Sequence, residues 1–209
     1  MTDHLLANRD YIIIIARSLV SRDPKHPWYE DWVAAQASLI DLAKKCQQLD
    51  SDGLTVYEAS TPLQKYEFTT VARLASILQQ QNTHNSSLNL GKSSLYEALS
   101  DAFSDYWSRK AKAIAKKGMI VVVVLDQKQQ EIASLCDLIV ETSNQLERDE
   151  EIGISLIQIG DDEATREFLS SLDNDLPLKG AKFDIVDTKY WHEVKRKSIS
   201  QFLVEAIHD

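Results

Sequence analysis

Residues 11–16 read Tyr-Ile-Ile-Ile-Ile-Ala, and this stretch decides the fold. No charged residue interrupts it, so it offers no face to water. A strand with one solvated face alternates polar and apolar positions. A strand covered on both faces does not, and that is the condition of a central strand in a parallel sheet. Met119–Leu125 (MIVVVVL) has the same character. Both runs fall far short of the ~20 apolar residues that a membrane-crossing helix needs. They are read as buried strands, side by side at the centre of one sheet.

The segments around them alternate between strand and helix. Residues 28–49 place Trp32, Ala35, Leu39, Leu42, Ala43 and Cys46 on one side of a helix. Residues 54–59 read as a strand. The more polar 62–68 follows closely enough to make an antiparallel edge hairpin with it. Residues 70–81 read as a helix, 82–89 as irregular, and 93–117 as a long helix carrying Leu95, Leu99, Phe103, Tyr106 and Ile114. After the second buried strand come a helix (129–146), a strand (152–159), a helix (162–172), a last strand (181–186) and a closing helix (190–207). Strands separated by helices of ten or more residues imply βαβ crossovers and a mainly parallel, doubly wound α/β sheet.

The 209 residues suffice for one large domain with its own core, and no Pro-, Gly- or Ser-rich linker divides them, so 1–209 is read as one domain. A net charge of −9 argues against nucleic acid or an anionic membrane as the main partner. Cys46 and Cys136 fall inside helical stretches and are read as reduced, buried, small apolar residues. The first ten residues, MTDHLLANRD, lack the basic segment and apolar run of a secretory leader. A cytoplasmic protein without direct membrane insertion is expected.

In doubly wound sheets ligands bind beyond the carboxyl ends of the central strands. There the chain reads Ala16-Arg17-Ser18-Leu19-Val20-Ser21 after the first strand and Leu125-Asp126-Gln127 after the other. The long helix is entered through Gly91-Lys92-Ser93-Ser94-Leu95. Further matches are the helix end Leu42-Ala43-Lys44-Lys45-Cys46, the turn and strand 50–57 (DSDGLTVY) and 148–155 (RDEEIGIS). Together these resemble the von Willebrand factor A (VWA) family, most closely its small single-domain members of cyanobacterial type, over roughly residues 9–207. The resemblance implies a three-layer VWA/Rossmann-like fold with six strands, five parallel and one an antiparallel edge.

The family's metal-ion-dependent adhesion site uses Asp-x-Ser-x-Ser after the first strand, a Thr from the third loop and an Asp after the fourth strand. By resemblance these positions fall on Ala16, Ser18, Val20, Ser93 and Asp126. Ser18, Ser93 and Asp126 keep an oxygen, Ala16 and Val20 have lost theirs, and Gln127 replaces the Gly that usually follows the Asp. One carboxylate and two hydroxyls are a poor set for Mg²⁺, a hard cation whose dehydration is offset by carboxylate charge. The site is expected to be vestigial, with no metal or other cofactor and with Asp126 paired instead to Arg17 or Lys92.

Other motifs point elsewhere less well. Gly91-Lys92-Ser93 resembles the end of a phosphate-binding loop, but the first glycine of that motif would fall on Ser86 and no buried strand precedes it. A receiver-type phosphorylation site would need acidic residues where Ala16 and Arg17 stand. The histidines at 4, 26, 84, 192 and 208 show no metal-ligand spacing. The basic run 109–117 complements a helix carboxyl terminus and is read as solvated. Loop 21–31 (SRDPKHPWYED) carries two prolines, Trp28 and Tyr29. Its aromatics are read either as interface anchors or, for Trp28, as packing at the helix start.

The expectation is a non-catalytic protein-binding or scaffold subunit working with a protein partner in a large assembly. Arg17, Trp28, Tyr29 and Lys92 are the candidate partner contacts. Two alternatives stay open. One is a Mg²⁺- or Mn²⁺-dependent binder in which a partner carboxylate completes a weak site at Ser18, Ser93 and Asp126. The other is an enzyme or nucleotide-dependent switch acting through Lys92.

Overall fold

A computed structural model describes residues 3–50, 53–60, 62–82, 94–112, 114, 116–194, 196–197 and 199–206. Six strands form one sheet: β1 (Asp10–Ala16), β2 (Leu54–Glu58), β3 (Gln64–Thr69), β4 (Met119–Leu125), β5 (Ile152–Gln158) and β6 (Val186–Tyr190). Their order is β3-β2-β1-β4-β5-β6. β1 and β4 are central and parallel, in register from Asp10 opposite Met119 to Ala16 opposite Leu125. Among the described residues only β3 runs antiparallel, paired with β2 at the edge. The fold is therefore the expected Rossmann-like three-layer α/β arrangement. Among the described residues no helix is long and apolar enough to cross a membrane.

The helices are α1 (Asp3–Leu6), α2 (Tyr29–Leu49), α3 (Val71–Gln81), α4 (Leu95–Ala111), α5 (Ile132–Gln145), α6 (Glu163–Asn174), α7 (Trp191–Val194) and α8 (Ile199–Glu205). Successive strand side chains point to opposite faces, which divides the isoleucines of β1 between two cores. Ile13 and Ile15 join Val122 and Val124 of β4 under Trp32 and Leu39 of α2, Leu74 of α3 and Leu203 of α8. Ile12 and Ile14 join Val121 and Val123 under Leu99 and Phe103 of α4, Ile139 of α5 and Leu169 of α6. Burial of each such side chain contributes about 1.5–3 kcal/mol. Thr70, Ser94 and Asp162 cap α3, α4 and α6, each accepting the N–H three residues on. Cys46 and Cys136 are buried free thiols, and burial pushes the Cys46 thiol up to about 12.

Three boundaries differ from the sequence reading. The helix expected over 93–117 ends at Ala111, so Ile114 is exposed instead of packed. The chain leaves that helix in a tight turn, with Lys112 and Ile114 both donating to the Arg109 carbonyl. The basic run is also not merely solvated. Arg109 pairs with Asp10, Lys110 with Glu151, and Lys116 with Asp50. The last strand is Val186–Tyr190, not 181–186. Phe183 is turned aside and bonded through its N–H and carbonyl to the Ser143 hydroxyl, while Asp187 and Lys189 are buried as an ion pair extended to Glu205. That pairing lets a strand of polar sequence lie in the sheet. The closing helix is split into α7 and α8.

One end of the sheet is braced by Glu151. Its carboxylate accepts from the Tyr106 hydroxyl (2.7 Å), Lys110 Nζ (2.5 Å) and Glu147 N (3.1 Å). Gly118 sits beneath it, where an added Cβ would lie 2.3 Å from the Glu151 carbonyl oxygen. Part of the resemblance, 148–155, thus serves the frame of the sheet. Burial alone would raise the Glu151 carboxyl, but the bonds from Lys110, Tyr106 and the Glu147 amide hold it below its ordinary value. A carboxyl lowered on folding stabilises above its unfolded pKa, and that stabilisation is lost as pH falls through the folded pKa. Glu151→Gln is expected to cost about 1–3 kcal/mol at neutral pH, seen as a fall in Tm of roughly 3–8 °C. In thermal melts across the acid range, the gap to wild type should close once Glu151 is protonated.

Candidate functional site

The in-register pairing of β1 and β4 releases Arg17, Ser18 and Asp126 at the same end of the sheet. From there β1 leads to α2 on one face and β4 to α5 on the other, so the connections diverge and leave a crevice. A cleft of about 480 Å³ occupies it, lined in part by Ser18, Val20, Arg22, Glu58, Gln81 and Lys128.

Asp126 is the buried hub at the floor of this end, 1% exposed. Its Oδ1 accepts from the Ser18 backbone N–H (2.9 Å). Its Oδ2 accepts from the Ser18 hydroxyl (3.0 Å) and from Trp32 Nε1 (2.9 Å). Ser21, fully buried, closes the turn by donating from its hydroxyl to the Ser18 carbonyl (3.1 Å). Trp32 stands in the first turn of α2, which directs its indole N–H under the end of β4.

Arg17 does not pair with Asp126 as expected. Its side chain runs toward α2 and α3, donating to the Ser21 carbonyl (2.5 Å), Asn82 Oδ1 (2.7 Å) and the Gln81 carbonyl (3.3 Å). It lies 5.1 Å from the ring centre of Trp32 and 5.5 Å from that of Tyr29, a cation–π arrangement. Asn82 in turn exchanges amide bonds with Gln36 of α2. Burial, and then the neighbouring Arg22, lower the Arg17 guanidinium to about 10 against the pull of Asp126, which leaves it charged at neutral pH. The other partner expected for Asp126, Lys92, lies outside the described residues, as do Gly91 and Ser93.

The remaining candidates take separate places. Ala16 is buried at the end of β1 and offers no oxygen, and Val20 is exposed on the turn. Tyr29 is half-buried beneath Arg17. Trp28, also half-buried, packs on Gly160, whose φ of +80° and lack of a Cβ admit the indole, and it donates to Asp161 Oδ1 (3.1 Å). Of the positions matched to the metal site, the structure brings together Ser18 and Asp126. These residues do not fit a hard dication. Three N–H and O–H donors occupy the carboxylate, and an indole N–H has no lone pair to give a metal. Among the described residues no group of three or more His, Cys, Asp or Glu could hold a metal ion.

Trp32 and Arg22 belong to the site without having been singled out from sequence. Trp32 carried only the signal of an apolar helix position. Arg22 lay among polar loop residues with nothing to mark its burial. Among the described residues the cleft lining contains no histidine or cysteine. No protein-family model matches the chain, and no curated protein matches it.

Asp126→Ala strips the acceptor from three buried donors and is expected to cost about 2–4 kcal/mol in denaturant unfolding. The same loss should appear with chelator present. A loss seen only in the presence of a divalent ion would contradict the hydrogen-bonded role.

Proposed function

We propose that this chain is a non-catalytic, VWA-like protein-binding module in which the adhesion metal has given way to an internal hydrogen-bond network. The observation that carries the reading is the use of Asp126. Its carboxylate is committed to Ser18 and Trp32, while the turn it anchors holds Leu19 and Val20 out to solvent at 42% and 64% exposure. Apolar side chains on a turn fixed from below suit partner contact, since little loop freedom is lost on binding. The negative net charge favours a protein over a polyanion as partner. In this reading the chain serves a cytoplasmic assembly as a scaffold or adaptor subunit, and Trp28 and Tyr29 extend the contact surface along the neighbouring loop.

Two measurements test it. Mg²⁺ or Mn²⁺ at roughly 10 mM should leave Tm within about 1 °C. A rise of several degrees that Asp126→Ala removes would favour the metal-dependent binder instead. In affinity purification from the native cell, partners retained by the wild type should be lost with the Leu19→Asp/Val20→Asp double variant, which keeps the wild-type Tm. Retention of the same partners by that variant would remove the turn from the interface.

A further inference from the structure

Arg22 lies on the turn after β1, is 8% exposed and lines the cleft. Its Nε is shielded from solvent and has no hydrogen-bond partner. The chain treats two other buried arginines differently. Arg9 donates to the Leu5 and Glu150 carbonyls, and Arg17, although its Nε is likewise without a partner, donates from its terminal nitrogens to Ser21, Gln81 and Asn82. Two carboxylates attract Arg22 through space without closing an ion pair, Glu58 and Asp126. Both are engaged elsewhere: Glu58 with the Tyr66 hydroxyl (2.6 Å) and the Gln81 amide, Asp126 with Ser18 and Trp32. Burial lowers the Arg22 guanidinium from its ordinary value, yet an arginine stays charged at neutral pH. A planar fork of donors is thus kept charged and underused at the wall of an open cleft, an arrangement that costs stability unless something binds there.

We infer that this cleft is a carboxylate-binding pocket, in which Arg22 forms a two-pronged ion pair with an aspartate or glutamate side chain of a protein partner. The inference rests on the protein-binding reading above and names what that surface recognises. Paired N–H groups of a guanidinium match the two oxygens of a carboxylate. Lys128, exposed at the rim, adds a second positive charge. Glu58 and Asp126 close by, and the net charge of −9, oppose a multiply charged anion such as phosphate. Leu19 and Val20 beside the mouth suit the apolar neighbours of an acidic residue in a peptide, which a free acid lacks.

The test is selection of random peptides displayed on phage against the full chain, followed by affinity measurement. Selected peptides should share an Asp or Glu. Its change to Asn or Gln should weaken binding about tenfold or more, Arg22→Gln should weaken it as much, and Arg22→Lys should restore part. Arg22→Gln should melt at or above the wild-type Tm, because it removes a buried, unpartnered charge. Should it melt well below, the change in the peptide, measured on the intact protein, decides. Peptides that lose binding with Val20→Asp but share no carboxylate, or bind Arg22→Gln equally well, overturn the pocket and leave the protein-binding reading standing. A library that yields no binder, or binders indifferent to both variants, overturns both. Inorganic phosphate displacing the peptide better than acetate at equal concentration overturns the carboxylate assignment.

Discussion

The uncharged runs Tyr11–Ala16 of β1 and Met119–Leu125 of β4 need cover on both faces, and most of the architecture follows from that need. β1 and β4 lie together in the middle of the sheet, where Ile12 to Ile15 and Val121 to Val124 are buried from both sides. With α2, α3 and α8 on one face and α4, α5 and α6 on the other, the chain crosses from face to face around this pair. The crossing leaves an opening where the two strands end. The position of the cleft is thus a consequence of the packing requirement of the strands beneath it.

What fills that end is a matter of hydrogen bonding. Asp126 is a buried carboxylate, and such a group is stable only when its oxygens are satisfied. Here the satisfaction is internal: one backbone amide, one hydroxyl and one indole N–H. These bonds to a charged acceptor are stronger than neutral ones, and they join β1, β4 and α2 at one point. Arg17 extends the connection to α3 through Asn82 and Gln36. The turn from Ser18 to Ser21 is therefore fixed by a network beneath it, while its outer residues face solvent.

The sequence showed these features unevenly, for physical reasons. Central strands and helices announce themselves through apolar periodicity, so the order of elements and the antiparallel edge strand were legible. β6 was misplaced because Asp187 and Lys189 look polar singly and enter the sheet only as a pair. Ile114 was assigned to a helix that had already ended, since periodicity does not mark where a chain must turn to reach the next strand. At the site, Ser18 and Asp126 were legible as oxygens at strand ends. Their meeting with Trp32 was not, because an indole in an apolar stripe gives no sign of which way its N–H points. The pairing of Arg17 with Asp126 was a reasonable electrostatic expectation. It failed because Arg17 found carbonyl and amide acceptors on α3 while neutral donors filled the carboxylate.

The contrast between Arg17 and Arg22 bears on function. Both leave the same strand end, and both are buried. Arg17 is tied into the frame by several acceptors and two aromatic rings, so its charge supports the fold. Arg22 gains only distant attraction from Glu58 and Asp126; the Nε of both arginines is without a partner, but Arg17 alone of the two is held through its terminal nitrogens. If stability alone shaped this turn, an apolar side chain of similar length would serve better at that position. A charge that is held in place but not satisfied is useful to a molecule that arrives with the opposite charge. Under the proposed protein-binding reading, that asymmetry makes the outer half of the turn the recognising half, and the inner half its support.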